Sequence, residues 1–229
     1  MSELLQKRLV AVFYRGLFMV VALVGVIFNT KIFTADFSPT TLLYYTTQSN
    51  LLAFALFTYL FVRTFICIRK TSSLKGPVSF APNLTFIVMI DIILTFLVFW
   101  ALLAPTMINT EYDLLSFSNL AVHTITPLAV VGEYFLFNRE KKLGQKHVFA
   151  VLIYPLIYSS SALIIGAFRL VDYYTFGVGE GATYFPYFFL DFYTHGALII
   201  PYILGIAVFL VALSYGFYFV INKRNRQNT

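Results

Sequence analysis

A run of five polar residues stands near the start of the second apolar segment of this chain, from Thr46 to Asn50. Successive side chains on a helix point in different directions, so lipid could not satisfy all of them, and much of this turn must face protein or a wet cavity. Asn119 and His123 occur in the fourth apolar segment, four residues apart and therefore on one helix face. Thr47 and His123 both lie roughly 9–12 Å below the same side of the bilayer, at a rise of about 1.5 Å per residue.

A hydroxyl beside an imidazole suits nucleophilic catalysis, because the ring nitrogen can take the hydroxyl proton as the oxygen attacks. Asn119 would orient the ring from the preceding turn, and Gln48, Ser49 or Asn50 would donate to a developing oxyanion. The alternative is that His123 is a hydrogen-bonded packing residue, as histidines in membrane helices often are. The residue types and spacing leave both interpretations open.

The cysteine and histidine content argues against a metal centre. Cys67 is the only cysteine, and the histidines are His123, His147 and His195. One thiol cannot form an intrachain disulfide or a cysteine-based metal site, and no His-x-x-x-His pair occurs. We therefore expect neither a metal nor another cofactor.

The composition is that of a membrane protein. Hydrophobic residues make up 59% of the 229 residues and charged residues 11%, with a mean hydropathy of +0.81. A soluble domain is about half apolar and about a quarter charged, and a chain of this size cannot hide so large an apolar fraction in its interior. The net charge of +6 does not indicate nucleic-acid binding, because the basic residues form short clusters between apolar runs and no recognition motif accompanies them.

Six windows meet the requirement of about 20 mostly apolar residues for a membrane-spanning helix. The chain is therefore expected to be an all-α polytopic membrane protein with a single domain. The predicted spans are about 9–28, 41–68, 84–105, 115–138, 148–170 and 197–221.

The distribution of basic residues predicts the orientation of these spans. All of the 16 Lys and Arg residues fall on one side or at its edge, except Lys31 and Arg169. The positive-inside rule therefore puts both termini in the cytoplasm.

Four ionisable residues fall within the spans at a similar depth, roughly 8–10 Å from the inner side. Because a lone charge in the membrane is costly, each is expected to find a partner or a water-filled cavity. We predict a structural ion-pair layer, with a proton or ion pathway as the alternative. Its members are Arg15, Arg63, Asp91 and Glu133.

An aromatic segment, residues 184–191, precedes the last span on the outer side. Arg169 and Asp191 could pair and fix this segment as a lid over the bundle mouth, or they could be two solvated charges at the interface. If the site acts on a lipophilic ester, the segment would line or gate the acyl entrance, with His195 capping the last helix nearby. The lid residues are Tyr184, Pro186, Phe189, Asp191, Arg169 and His195.

Three stretches resemble motifs of the family of the androgen-induced protein and the androgen-dependent TFPI-regulating protein. Asn119-Leu-Ala-Val-His123-Thr-Ile-Thr-Pro, followed by Glu133, is similar to the family's Asn-x-x-x-His-Thr-x-x-x-Pro signature, with the proline one place earlier. Thr47-Gln-Ser-Asn-Leu resembles its second-helix block, and Tyr184-Phe-Pro-Tyr-Phe-Phe-Leu-Asp its aromatic block. Uncharacterised bacterial six-pass proteins share these blocks, so the resemblance suggests a bacterial inner membrane.

Members of that family are threonine hydrolases that cleave fatty acid esters of hydroxy fatty acids. The resemblance implies that Thr47 is the nucleophile and His123 the base, although Thr46 stands one place earlier and could take the role. A site at this depth would act on a membrane lipid or another lipophilic ester. Two other hypotheses remain: a non-enzymatic protein that binds or transports a lipid or small amphiphile, and a membrane acyltransferase.

Overall fold

The computed structural model of this protein describes residues 8–138, 143–175 and 181–227. Within those ranges, six helices are long and apolar enough to cross a membrane. This architecture confirms the expected all-α, six-pass integral membrane protein, and an even number of spans leaves both ends of the chain on one side. The helices are α1 (Arg8–Thr30), α2 (Tyr45–Thr71), α3 (Pro82–Met107), α4 (Phe117–Phe137), α5 (Lys146–Ala167) and α6 (Phe192–Lys223).

The connections on the outer side contain short ordered elements. Pro39–Leu43 forms a 3₁₀ turn, and Tyr44 is extended, so α2 begins at Tyr45 instead of near residue 41. Between α5 and α6 the strands β1 (Tyr173–Thr175) and β2 (Gly181–Thr183) pair antiparallel. This hairpin was not predicted from the sequence.

The last helix is assembled from several pieces. A second 3₁₀ turn, Phe188–Leu190, precedes a short helix, Phe192–His195. After a third 3₁₀ turn, Gly196–Leu198, one continuous helix runs over Ile199–Gln227. The bend at the start of α6 brings the aromatic segment back over the outer end of the bundle.

One π-helical turn widens each of α3 and α4, at Phe99–Leu103 and Ala121–Ile125 respectively. A proline follows each turn closely, Pro105 in α3 and Pro127 in α4. In both helices the N–H of the residue before the proline bonds to the carbonyl five positions earlier instead of four. A proline ring crowds the carbonyl four residues before it, and the extra residue of a π turn relieves that crowding. The two prolines thus account for the position of both π turns.

Two central helices hold most of the buried surface. In α3 and α4, 56% of the most apolar window is buried, whereas in α6 the figure is 6%. We infer that α3 and α4 form the centre of the bundle and that α6 faces lipid over most of its length. The side chains that line a site inside the bundle must therefore come largely from α3, α4 and the helices packed on them.

A buried ion pair ties α1 to α4 in the inner half of the bundle. Arg15 Nη2 lies 2.6 Å from Glu133 Oε1 and Arg15 Nε lies 3.1 Å from Glu133 Oε2, with both side chains fully buried. The guanidinium also donates to Thr64 Oγ1 on α2 and, at 2.8 Å, to the carbonyl of Val78. These bonds satisfy the buried charge and connect three helices.

The expected layer of four charges is otherwise incomplete. Arg63 lies over the rings of Tyr59 and Phe80, with its guanidinium carbon 6.0 and 5.6 Å from their centroids. Asp91 is buried, and its Oδ1 has no hydrogen-bond partner. Since α3 begins at Pro82, Asp91 lies nine residues, or about 13 Å, along the helix and deeper than expected. The ion-pair layer is therefore a single pair.

Candidate functional site

Asn119 holds the His123 imidazole from the preceding turn of α4. Nδ1 of His123 lies 2.8 Å from Asn119 Oδ1 and 3.2 Å from the Asn119 backbone oxygen. Both of these atoms are acceptors, so Nδ1 carries the ring proton and Nε2 presents a lone pair. The tautomer is thus assigned from the hydrogen-bond partners.

The Asn119 carboxamide is itself fixed by two further bonds. Its Nδ2 donates to the carbonyl of Leu114 at 2.7 Å, and its Oδ1 accepts from the hydroxyl of Tyr112 at 2.9 Å. Burial, with a smaller effect of the Asp113 charge, raises the pKa of Tyr112 to about 12, so this hydroxyl stays a donor. The orientation of the amide, and with it that of the imidazole, is therefore determined by the loop before α4.

The lone pair of His123 faces a hydroxyl on α2. Thr46 Oγ1 lies 3.3 Å from His123 Nε2, so the threonine donates to the unprotonated nitrogen. This distance is loose for a catalytic hydrogen bond, as is usual before a substrate is bound. Thr46, His123 and Asn119 have the arrangement of a nucleophile, a general base and a residue that orients the base.

The structure thus brings Thr46 to His123 and not Thr47, which the sequence analysis expected there. Consecutive residues on a helix are separated by a rotation of about 100°, so only one of two adjacent threonines can face α4. Thr47 is buried with 2% of its surface exposed, and it lines neither of the cavities that reach His123 or Thr46. A polar run that covers every face of the helix gives no angular information, which is why the sequence could not separate the two residues.

Asn50 fastens α2 to α4 beside the site. Its Nδ2 donates to the backbone oxygen of Thr46 at 2.8 Å and to that of Val122 at 3.0 Å. Both amide hydrogens are therefore used, and Asn50 cannot serve as the oxyanion donor expected from the sequence. Its contribution is positional, because it couples the backbone of Thr46 to the residue that precedes His123.

Gln48 is turned away from the site. Its Nε2 donates to the carbonyl of Leu42 at 3.2 Å, and its Oε1 accepts from the hydroxyl of Tyr154 on α5 at 3.0 Å. Gln48 is therefore not placed to donate to the oxyanion, although the sequence predicted this role. Gln48 joins the start of α2 to α5 instead.

An aromatic wall supports the imidazole from α3. The ring of Phe99 stacks on His123, with centroids 3.6 Å apart and planes at 14°. Next to this pair, Trp100 Nε1 donates to Thr124 Oγ1 at 2.9 Å. All four residues belong to the two π turns, so these turns meet face to face. Sequence reasoning missed this contact, although a proline within each helix, Pro105 and Pro127, was an available signal of an irregular turn.

Thr46 lies in the first turn of α2, where backbone N–H groups lack carbonyl partners within the helix. Its N–H points to the hydroxyl of Tyr187 at 3.4 Å, and the N–H of Tyr45 donates to the hydroxyl of Tyr158 at 3.0 Å. The positive end of the helix dipole therefore faces the site. Burial raises the pKa of Tyr187, so its hydroxyl stays protonated beside Thr46, where it is placed to donate to a substrate oxygen in exchange for its present partners.

Two cavities meet at Thr46. The first, here called the outer vestibule, has a volume of about 560 Å³ and contains the side chain of His123. The second, here called the apolar slot, has a volume of about 80 Å³ and lies among α3, α5 and α6. Both are lined by Thr46, Phe99, Leu103 and Tyr187.

The aromatic segment separates and covers these cavities. Pro186 and Phe188 line the outer vestibule, whereas Phe189 and Leu190 line the apolar slot. Phe185 is fully buried and packs directly on Gly166 of α5, where a side chain would overlap its ring. This contact anchors the segment to the bundle.

The two charged residues of the predicted lid, Arg169 and Asp191, each bind a different partner. The Asp191 carboxylate accepts from the backbone N–H groups of Tyr193 and Thr194 at 3.0 and 3.1 Å and so caps the short helix that begins α6. Arg169 lies over the rings of Tyr184 and Tyr193, 5.2 and 4.9 Å from their centroids. Arg169 therefore holds the segment through cation–π contacts, and it forms no ion pair with Asp191, which was one of the two alternatives that the sequence left open.

His195 lies at the end of that short helix, with its ring 6.2 Å from Phe188 and nearly perpendicular to it. It lines neither cavity. His195 therefore lies outside the site and contacts the aromatic segment.

Comparisons with protein-family models, with curated proteins and with solved structures found no match to this chain. The resemblance to the androgen-induced protein family therefore rests on three short motifs. The functional interpretation rests on the geometry around Thr46 and His123.

Proposed function

We propose that this protein is an intramembrane hydrolase of lipophilic acyl esters, with Thr46 as its nucleophile and His123 as its general base. The observation that carries this proposal is the 3.3 Å contact between Thr46 Oγ1 and His123 Nε2, made by an imidazole whose other nitrogen is bound to Asn119. A hydroxyl becomes nucleophilic when an oriented base can take its proton. The cavities on both sides of Thr46 support access for an ester.

The first half-reaction forms an acyl-enzyme. Thr46 Oγ attacks the ester carbonyl while His123 Nε2 accepts the hydroxyl proton. The oxyanion of the tetrahedral intermediate faces the hydroxyl of Tyr187, and the positive end of the α2 dipole stabilises its charge. His123 then gives its proton to the leaving alcohol, and the carbon–oxygen bond to that alcohol breaks.

The second half-reaction releases the fatty acid. Water from the outer vestibule takes the place of the alcohol and attacks the acyl-threonine, while His123 again accepts a proton. Collapse of the second intermediate returns that proton to Thr46 and leaves a free carboxylic acid. Throughout, Asn119 Oδ1 accepts from Nδ1 and stabilises the imidazolium.

Acyl transfer is a second candidate, and the size of the outer vestibule favours it. A cavity of about 560 Å³ can admit an alcohol as well as water. An acceptor alcohol held there would intercept the acyl-threonine and give a new ester. Adding lyso-lipid acceptors to the assay and measuring the ratio of transferred to hydrolysed acyl groups separates the two reactions.

We also propose that the chain resides in the cytoplasmic membrane of a bacterium, with the outer vestibule facing away from the cytoplasm. The distribution of basic residues supports the orientation. The likeness of the three motifs to those of bacterial six-pass proteins supports the compartment.

The test is an esterase assay on the purified protein in lipid nanodiscs, with fluorogenic fatty acyl esters. Thr46→Ala and His123→Ala should each lower kcat/KM at least about 100-fold, the lower range for loss of a nucleophile or base. Thr47→Ala is the matched control and should stay within about threefold of the parent, because Thr47 lines neither cavity. A fluorophosphonate probe should label Thr46.

Full activity in Thr46→Ala would overturn the assignment of the nucleophile. If in addition no variant changed the rate on any ester, the cavities would be those of a non-enzymatic lipid-binding or transport protein. Binding of a fluorescent fatty acid that persists in Thr46→Ala would support that alternative.

A further inference from the structure

The two cavities that meet at Thr46 differ in the number of polar groups that line them. The apolar slot is lined mainly by aliphatic side chains, among them Leu94, Val98, Leu156, Ile203, Ile206 and Leu210. The outer vestibule is also largely apolar in its lining, but it adds a set of hydroxyl and amide groups, among them Asn29, Ser38, Thr40, Thr41 and Tyr112. An ester held at Thr46 would therefore have its two parts in unlike surroundings.

The apolar slot suits one hydrocarbon chain that arrives from the bilayer. At the inner end, α5 and α6 are held together, since the ring of Phe149 lies 5.8 Å from that of Tyr215 and Asn222 bonds to the backbone of Leu143 at 3.1 Å. Further out, the apolar slot lies between them, and Leu156 of its lining is 46% exposed on the surface that faces lipid. An acyl chain can enter sideways and reach Thr46 without crossing water.

The charge of the outer vestibule discriminates among possible alcohols. Asp172 is the only charged side chain among the described residues that line it, and no Lys or Arg does. The two basic residues of the outer side are engaged elsewhere: Lys31 pairs with Asp36 at 3.2 Å, and Arg169 lies on aromatic rings. A phosphate or carboxylate in the outer vestibule would therefore meet a carboxylate and no cation, which disfavours it.

A polyol suits the same lining. The Ser38 and Thr40 hydroxyls are 2.8 Å apart, and the Asn29 side chain adds both a donor and an acceptor. The Asp172 carboxylate accepts hydrogen bonds from hydroxyl groups. By contrast, a second long hydrocarbon chain in the outer vestibule would take water from the Asp172 carboxylate without offering it a hydrogen bond in return.

We infer that the substrate is a single-chain acyl ester of an uncharged polyol, such as glycerol or a sugar, with its acyl chain in the apolar slot and its polyol in the outer vestibule. This inference rests on the proposed hydrolase function and names its substrate class. It differs from the substrates of the family that the motifs resemble, because the alcohol part of those esters is itself a fatty acid. Such an alcohol would bring both a long chain and a carboxylate towards Asp172.

The test compares three esters of one acyl chain in nanodiscs: the glycerol ester, the glycerol phosphate ester and the ester of a hydroxy fatty acid. The kcat/KM for the glycerol ester should exceed that for each of the others at least about tenfold. Asp172→Lys should raise hydrolysis of the phosphate ester relative to the glycerol ester at least about fivefold, whereas Asp172→Asn should give a smaller change of the same sign.

The apolar slot is tested by filling it from α6. Ala207 lines it, so Ala207→Phe should slow hydrolysis of a 16-carbon glycerol ester at least about tenfold and spare a 4-carbon ester. Val208→Phe is the matched control, because Val208 is 69% exposed on the next face of the same helix. That variant should leave both rates within about twofold of the parent.

The possible failures are distinguishable. If the phosphate ester or the fatty acid ester is preferred while Thr46→Ala still abolishes turnover, the substrate assignment is overturned and the hydrolase proposal stands. If Ala207→Phe and Val208→Phe act alike on the long and short esters, the acyl chain does not occupy the apolar slot. If none of the esters is cleaved in a Thr46-dependent way, the hydrolase proposal itself is overturned.

Discussion

The imidazole of His123 lies flat on the ring of Phe99, and each of the two residues stands in the π turn of its own helix. The stack fixes the plane of the imidazole, while Asn119 fixes its rotation within that plane through the bond at Nδ1. Together they leave Nε2 pointing at Thr46 on α2. Because a ring stack and a hydrogen bond both hold the imidazole, its orientation should change little when a substrate binds.

Replacing Phe99 by Leu should lower kcat about 10- to 100-fold with little loss of stability. Leucine preserves apolar burial but not the flat contact, so the imidazole can tilt, and a displacement of about 1 Å in a catalytic group can cost about 100-fold. Single-turnover rates on a fluorogenic ester measure the effect. Trp100→Phe is the neighbouring control and should cost less, because it removes only the bond to Thr124. A Phe99→Leu protein with the parent rate would show that the stack does not position the base.

Asn119→Leu should lower kcat about 10- to 100-fold and leave KM nearly unchanged. The full cost of a wrong histidine tautomer is about 10⁴-fold, but the Asn119 backbone oxygen still accepts from Nδ1 in this variant. Asn119→Asp keeps an acceptor at the same place and should restore most of the rate. An equal loss in the Leu and Asp variants would instead indicate a structural role, through the bond from Asn119 to Leu114.

Glu133→Leu should destabilise the protein by about 3–5 kcal/mol, because it leaves the Arg15 guanidinium buried without its counter-charge. The protein that remains folded should keep the parent kcat, since the ion pair and the site lie at opposite ends of α4. Thermal unfolding in nanodiscs and the rate per folded molecule are the two measurements. The double variant Arg15→Met with Glu133→Leu should recover much of the stability. A double variant as unstable as the single one would show that the pair does not act as a unit.

Gly166→Ala should loosen the aromatic segment and cost about 1–3 kcal/mol, because the added Cβ would overlap the ring of Phe185. Faster proteolysis between α5 and α6 and a raised KM are the expected signs. Gly205→Ala is the control, since a Cβ there meets no atom within 4 Å. Equal protease resistance in both variants would mean that Phe185 does not anchor the segment.

The orientation in the membrane predicts the behaviour of fused reporters. A periplasm-active phosphatase fused after Thr229 should be inactive, and the same enzyme inserted after Thr110 should be active, because an odd number of spans separates the two positions. Activity with the opposite pattern would reverse the topology and place the outer vestibule in the cytoplasm.

The sequence was sufficient for the coarse fold because span length and hydropathy are local properties of the chain. It also suggested that Arg15 and Glu133 would meet, since opposite charges at one depth in lipid have few other partners. It did not distinguish Thr46 from Thr47. Polar residues on all sides of a helix do not show which side faces the neighbouring helix. The sequence predicted Tyr187 only as part of the aromatic segment, and Phe99 gave no signal, since aromatic residues pack throughout this chain.

The sequence left the partners of Arg169 and Asp191 open for a similar reason. Charges at an interface can choose among water, aromatic rings and helix ends, and these options differ little in free energy. Their partners depend on how the connection between α5 and α6 folds. The spacing of residues along the sequence does not predict the fold of that connection.

Counted along the chain, the π turn of α4 is a one-residue insertion that the helix absorbs without a loop. An insertion of one residue changes the angular phase of everything beyond it by about 100°. It therefore sets the offset between Glu133, which belongs to the structural core, and Asn119, which orients the base. A straight helix one residue shorter would retain the ion pair, but Asn119 would then face a different direction and could not orient His123. In this architecture a site can thus be acquired or lost by a change in residue count alone, while the core that stabilises the bundle is left untouched.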